Sequence, residues 1–223
     1  MPKAIIIGHT GHVGSRLIKI IINLNIYDEV VTLSRKRNTA DAYKYKRGFL
    51  NYVVNFNDED SFSPYLKGDH LFICTGTTQA KTPDPDEYFK IEHDLPLSLA
   101  QVALQNGVQR VVVISALGAD PHSRFSYNRG KGLMERDIAA LGGESFFVRP
   151  ALIGGKRSEK RPFEQVWKKV QRALDFLLVG SLRKYRIIEP ETIARAMLYI
   201  ALNGYHKTVI DSDELKKVAG LSL

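Results

Sequence analysis

Residues 1–15, MPKAIIIGHTGHVGS, constrain what this chain can fold into more than any other stretch. Ile5, Ile6 and Ile7 form the β-branched run that a strand buried on both faces needs. Gly8, Gly11 and Gly14 follow at the spacing G-x-x-G-x-x-G, and an apolar, helix-periodic stretch opens at Val13. A strand, a glycine turn and a helix start in that order predict a phosphate site. The glycines let the backbone approach a pyrophosphate, while free N–H groups and the helix dipole favour its negative charge. An ordinary glycine-rich turn is the competing explanation, and three glycines alone do not decide between them.

The chain of 223 residues suits a single domain with a substantial core. Its one cysteine, Cys74, excludes an internal disulfide and any cysteine-built zinc cluster. No basic-then-apolar leader is visible, and no apolar run approaches the roughly 20 residues of a membrane span. A reducing cytoplasm is the address these features suggest, with no membrane partner. The net charge of +8 is uneven. Between Lys156 and Arg186 stand ten basic residues and only three acids, Glu159, Glu164 and Asp175. Such a stretch is more often a solvated helix face, but can also meet nucleic acid, an acidic membrane surface or an anionic small molecule. Nucleic acid is the weakest of these, because no aromatic-rich strand surface or helix-turn-helix pattern accompanies the charge.

Strand and helix signals alternate along the chain. A helix is predicted over 11–23 and a second strand over Glu29 to Leu33, ending in Ser34-Arg35-Lys36-Arg37. In a dinucleotide fold that strand end faces the adenosine ribose, where an acid would bind the free 2′-hydroxyl of NAD. Here cations stand instead, which complements a 2′-phosphate and favours NADP over NAD. A third strand at 52–54 leads into Asn55 and Phe56, and a fourth at 71–74 into Thr75, Gly76, Thr77 and Thr78. A long helix is expected over 87–106, kinked or broken near Pro96. The fifth strand, 111–114, ends at Ser115; a helix follows over 127–141, and a sixth strand, 146–148, ends in Arg149-Pro150. Helices are expected over 162–178 and 191–202, and the segment after Gly204 has no strong period. The alternation implies an α/β fold, a doubly wound parallel sheet of Rossmann type, with a short C-terminal helical region on the substrate side.

Tyr127 and Lys131 lie four apart at the start of a predicted helix, so they share a face. A nearby ammonium and a cationic nicotinamide would draw a phenol down from its ordinary value near 10. The tyrosine could then exchange a proton with a substrate hydroxyl, with Ser115 hydrogen-bonding the same oxygen. Tyr-x-x-x-Lys alone is common by chance. It gains weight here from the strand-ending serine and the glycine turn.

Taken together, these segments resemble an atypical or extended short-chain dehydrogenase/reductase. The resemblance rests on GHTGHVG (8–14), NGVQR (106–110) leading into 111–115, YNRGK (127–131) and VRP (148–150), and covers about residues 3–203. Within that superfamily the chain is similar to the small NADP-binding group that includes the Tat-interactive protein. The shared features are TGTT at 75–78, Ser115 followed by Gly118-Ala119-Asp120, and Arg149-Pro150. The resemblance implies that Thr10, Gly11, His12 and Val13 wrap the pyrophosphate, and that Ser34, Arg35 and Lys36 meet the 2′-phosphate. It further implies that Asn55 and Phe56 lie at the adenine, Thr75, Gly76 and Thr77 at the ribose, and Pro150 and Ala151 behind the nicotinamide. Ser115, Tyr127 and Lys131 would be the catalytic set, with Tyr127 and Lys131 also touching the cofactor. Residues of about 151–190 would cap the substrate.

Two positions depart from the pattern. Relatives usually carry an aspartate where Asn55 stands, although an amide can still accept the adenine hydrogen bond. Many members complete a proton relay with an asparagine in the long helix, where this chain has Glu92. His9 and His12 lie in the glycine turn without a third ligand nearby, so no metal is expected. The resulting expectation is an NADP(H)-dependent oxidoreductase acting on a small or medium carbonyl or alcohol, as monomer or homodimer. The alternative is an NADPH-binding sensor or regulatory protein with little catalysis.

Overall fold

The computed structural model describes residues 2–36, 48–154 and 180–222. Seven parallel strands form one sheet: β1 (Lys3–Ile7), β2 (Glu29–Ser34), β3 (Phe49–Val53), β4 (His70–Ile73), β5 (Arg110–Ile114), β6 (Glu144–Arg149) and β7 (Val209–Asp211). Their order is β3-β2-β1-β4-β5-β6-β7, the doubly wound sheet that the alternation predicts. The chain starts mid-sheet, winds out to β3, then crosses back to β4 and proceeds to β7. The direction reverses between β1 and β4, so a crevice opens outside the carboxyl ends of those two strands, where ligands of such sheets bind.

Alternate side chains of β1 enter opposite layers, because strand residues point to the two faces in turn. Ala4 and Ile6 pack with Leu17, Ile18 and Ile21 of α1 (Gly14–Leu24) and with Ile193 and Met197 of a later helix. Ile5 and Ile7 pack with Leu99, Ala103, Met134 and Ile138 on the other face. Both faces are covered by helices, which is why Ala4 to Ile7 are apolar without a break. Each fully buried Leu, Ile or Met side chain among them contributes about 1.5–3 kcal/mol.

A short helix, α2 (Glu59–Phe62), precedes β4, and the expected long helix after that strand comes in three parts. α3 (Pro85–Phe89) starts on Asp84, whose Oδ1 accepts from the N–H groups of Asp86 at 2.8 Å and Glu87 at 3.2 Å. A π-helical turn, Lys90–Asp94, follows, and then α4 (Leu95–Gln105) with Pro96 in its first turn. Proline has no N–H to continue the α-helical ladder, and the extra residue of the π turn takes up the mismatch just before it. That turn carries Glu92 and His93 into the protein, where both are buried.

α5 (Ser126–Ala140) runs from beside the β5 end, and the later helix α6 (Pro190–Asn203) covers the first face. After Gly204 the chain is ordered, in contrast to the unassigned tail expected from its weak period. β7 pairs in parallel with β6 through Val148 and Ile210, and α7 (Ser212–Val218) follows. A three-residue strand is too short to show a period of its own; its place is set by pairing and by burial of Ile210 and Leu215. The helix expected over 162–178 lies outside the described residues, as do Arg37 and all of the basic stretch before Gly180.

Candidate active site

The glycine turn is built so that a side chain would fill it. Gly8 has φ +81°, and a Cβ there would lie 2.5 Å from the Cys74 carbonyl oxygen at the end of β4. A Cβ on Gly11 would lie 3.0 Å, and one on Gly14 only 2.3 Å, from the Gly8 carbonyl oxygen. All three contacts are with backbone, so the motif records close packing of turn, strand and helix. The start of α1 has no side-chain cap and no acid in its first turn, so the helix dipole favours an anion there, while the N–H groups of Ser15, Arg16 and Leu17 already turn to the Gly11 and Val13 carbonyls. Thr10 is exposed and Gly11 and His12 half-buried, whereas Val13 and Gly14 are buried. His12 Nε2 lies 2.8 Å from the Gly154 carbonyl, which can only accept, so Nε2 carries the proton. That bond ties the turn to the segment after β6.

Arg35 and Lys36 are exposed directly beyond β2, whose last residue, Ser34, lies 3.4 Å from the Asn51 side chain. Asn55 is exposed and its side-chain oxygen accepts from Asn57 N–H at 3.1 Å; Phe56 packs near Phe62. Thr75, Gly76 and Thr77 leave β4 at the crevice. The Thr75 hydroxyl is buried without a partner. Cys74 is a packing residue whose thiol burial pushes up to about 12. Pro150 is buried, with its carbonyl accepting from Leu117 N–H at 3.1 Å, and Ala151 is half-buried beside it.

Ser115 leaves β5 buried, with its N–H on the Val148 carbonyl at 2.8 Å and its hydroxyl unpartnered. Lys131 is buried on α5. Its Nζ donates to the Ile114 carbonyl at 3.2 Å and stands 2.8 Å from Glu92 Oε2, an ion pair not aligned as a hydrogen bond. The two side chains are only 3% and 2% exposed. Glu92 Oε1 accepts from Thr77 N–H at 2.5 Å, and a Cβ on Gly76 would lie 3.5 Å from it. One carboxylate therefore joins the β4 loop, the π turn and α5.

Tyr127 keeps 40% of its surface exposed at the start of α5. Even so, desolvation above all, then the charge of Glu92 and the neighbouring Tyr88, hold its phenol above the ordinary value. Burial and Glu92 push the Tyr88 phenol up to about 12. The expectation that Lys131 draws the Tyr127 phenol down is corrected: the ammonium is paired with Glu92, and desolvation first, then the carboxylate, hold the phenol up.

Sequence reading missed Tyr88, which lies four residues before Glu92 and so on the same helical face. His93 carries no sequence signal either. That ring is buried, with Nδ1 2.7 Å from Asp94 and Nε2 3.0 Å from Asp137 of α5, and it stacks on Phe89 at 4.5 Å. Arg149 holds Glu135 through two bonds of 2.9 and 2.5 Å, tying the end of β6 to α5. No group of ligands able to hold a metal occurs among the described residues.

The closely packed turn, the acid-free helix start and the two buried, unpartnered hydroxyls of Thr75 and Ser115 fit a nicotinamide dinucleotide. Residues 4–209 match the model of the NAD-dependent epimerase/dehydratase family, and the chain belongs to that family. Among its relatives is the protein fmp52, mitochondrial, of Emericella nidulans, 33% identical over 92% of this chain and 90% of the relative. Protein HTATIP2 of Rattus norvegicus is 29% identical over 86% of this chain and 78% of the relative, in keeping with the group to which the sequence is similar. The fold is shared with a UDP-glucose 4-epimerase of Thermotoga maritima (TM-score 0.69, 18% identity, 97% of this chain and 81% of that one). It is shared equally with the Bordetella bronchiseptica enzyme WbmH in complex with NAD+ (TM-score 0.69, 16% identity, 98% and 79%).

These relatives correct the expected cytoplasmic address, since the fungal proteins are named mitochondrial. A lone cysteine reports only that no internal disulfide is used and carries no address. Among the described residues, no helix is long and apolar enough to cross a membrane.

Proposed function

We propose that the protein is an NADP(H)-dependent oxidoreductase that reduces a small or medium carbonyl compound, or oxidises the corresponding alcohol. The observation that carries this reading is the unpartnered, buried Ser115 hydroxyl at the crevice, beside the α5 helix that bears Tyr127 and Lys131. The glycine turn and the α1 start would hold the pyrophosphate, with Thr10 to Val13 around it. Arg35 and Lys36, with Ser34, would meet the 2′-phosphate. Their exposure, and the absence of an acid at the β2 end, support NADP over NAD. Asn55 and Phe56 would flank the adenine, Thr75 to Thr77 the ribose, and Pro150 and Ala151 the nicotinamide.

When bound, the nicotinamide supplies or accepts the hydride at the substrate carbon. Ser115 would donate a hydrogen bond to the substrate oxygen and orient it. A phenol held above its ordinary value stays protonated, so Tyr127 stands as the donor of the proton that the carbonyl oxygen needs when its carbon receives hydride. Lys131 would hold the ribose, with Glu92 fixing its position. By its charge alone, the basic stretch between Lys156 and Arg186 suits an anionic substrate. Replacing Tyr127 by Phe should abolish turnover of NADPH with a panel of aldehydes, ketones and quinones while leaving NADPH affinity within about twofold. Full activity in that variant would sink the mechanism.

One observation favours a second reading, an NADPH-binding sensor with little catalysis: Lys131 is spent on Glu92. Tight NADPH binding by the wild type without turnover of any panel member would select it.

A further inference from the structure

We propose that Glu92 is the fixed counter-charge of this site and, by cancelling Lys131, keeps the site from rejecting the oxidised dinucleotide in favour of the reduced one. This rests on reading the crevice as a nicotinamide site. The oxidised nicotinamide ring carries one positive charge and the reduced ring none, so the two forms differ chiefly in how they meet the charges already present. Lys131 brings a buried ammonium, and Glu92, 2.8 Å away and equally buried, cancels it. With a neutral side chain at 92, that ammonium would repel a cationic ring and be indifferent to a neutral one.

The carboxylate cannot easily turn away. Thr77 N–H holds Oε1 at 2.5 Å, and a side chain at Gly76 would crowd the same oxygen at 3.5 Å. The next residue, His93, is clamped between Asp94 and Asp137 and stacked on Phe89, which fixes the π turn from behind. Thr77 belongs to the loop leaving β4, and Lys131 to the helix bearing Tyr127, so the charge sits between the two elements that border the crevice. The influence of Glu92 on both Tyr88 and Tyr127 agrees that its field reaches the site. At an effective dielectric constant of about 20, two unit charges within one crevice interact strongly enough to change an affinity tenfold.

The test is direct binding of NADP+ and NADPH to the full chain by calorimetry at one salt concentration. The proteins compared are the wild type, Glu92→Gln and Glu92→Asp. The Gln variant should raise the ratio Kd(NADP+)/Kd(NADPH) about tenfold, and the Asp variant, which keeps the charge, should stay within about twofold of the wild type. A folded Gln variant with the wild-type ratio overturns the proposal. If that variant fails to fold, the double variant Glu92→Gln/Lys131→Met carries the test: removal of both charges should leave the ratio within about twofold, and a tenfold shift overturns it. Wild-type protein that binds neither nucleotide overturns the dinucleotide reading itself, and this proposal with it.

Discussion

Replacing Lys131 by Met should make the stability of the protein depend steeply on pH. The substitution leaves Glu92 buried at 2% exposure with only the Thr77 N–H as a partner. A buried ion that loses its partner costs about 3–5 kcal/mol. Uptake of a proton by Glu92 offers an escape. A carboxyl in the unfolded chain ionises near pH 4.3, and each pH unit above that adds about 1.36 kcal/mol to keeping it protonated. At pH 7 the escape costs roughly 3–4 kcal/mol, similar to the penalty it avoids; at pH 5 it costs about 1 kcal/mol. The folded variant thus binds a proton that its unfolded chain releases, so its stability must fall as pH rises. For a chain of this size the deficit at pH 7 corresponds to a Tm loss of roughly 6–15 °C. Thermal and urea unfolding of the wild type and Lys131→Met at pH 7 and pH 5 provide the assay, with Glu92→Gln/Lys131→Met as a control that recovers stability at pH 7. A deficit below about 1 kcal/mol at pH 7, or one equal at both pH values, would show that water reaches Glu92 and refute the reasoning.

Two further outcomes are expected. Gly14→Ala places a methyl 2.3 Å from the Gly8 carbonyl oxygen and 3.0 Å from His9 Cα, so the turn must move at a cost of about 1–3 kcal/mol or more. The variant should lose dinucleotide binding in a calorimetric titration, whereas Gly130→Ala, whose nearest neighbour is 3.9 Å away, should keep it; equal affinities would refute the packing argument. Burial first, and the Arg110 guanidinium second, hold the His70 imidazole below its ordinary value, with Asp69 opposing them. Its contribution is therefore fully present above about pH 6.5 and is lost as pH falls below that value, where the unfolded chain takes up the proton first. His70→Gln should flatten the decline of urea stability between about pH 6.5 and 5, and identical slopes would count against the assignment.

Much of the fold was legible because local chemistry and global topology agree. Ile5 to Ile7 and Val111 to Val113 are apolar without interruption because helices cover both faces of the sheet, and period-free apolar runs mark such strands. β7 was illegible because Val209-Ile210 is too short an apolar run to mark a strand until it pairs beside Val148. The π turn was half legible: Pro96 announced a disturbance, but the insertion that turns Glu92 and His93 inward depends on what α5 presents to them.

The candidate site divides the same way. The spacing of Gly8, Gly11 and Gly14, the serine ending β5 and the Tyr127–Lys131 pair by themselves determined a dinucleotide fold and the elements that border its crevice. Spacing along one helix sets which residues share its face, and strand ends are marked by composition. Only the tertiary structure decided what Lys131 does with its charge. Glu92 reaches it across 39 positions of sequence, from a different helix, and no local pattern encodes a contact between elements brought together by the sheet. The sequence determined which groups are present at the crevice; the packing of α5 against the π turn decided which of them are already paired.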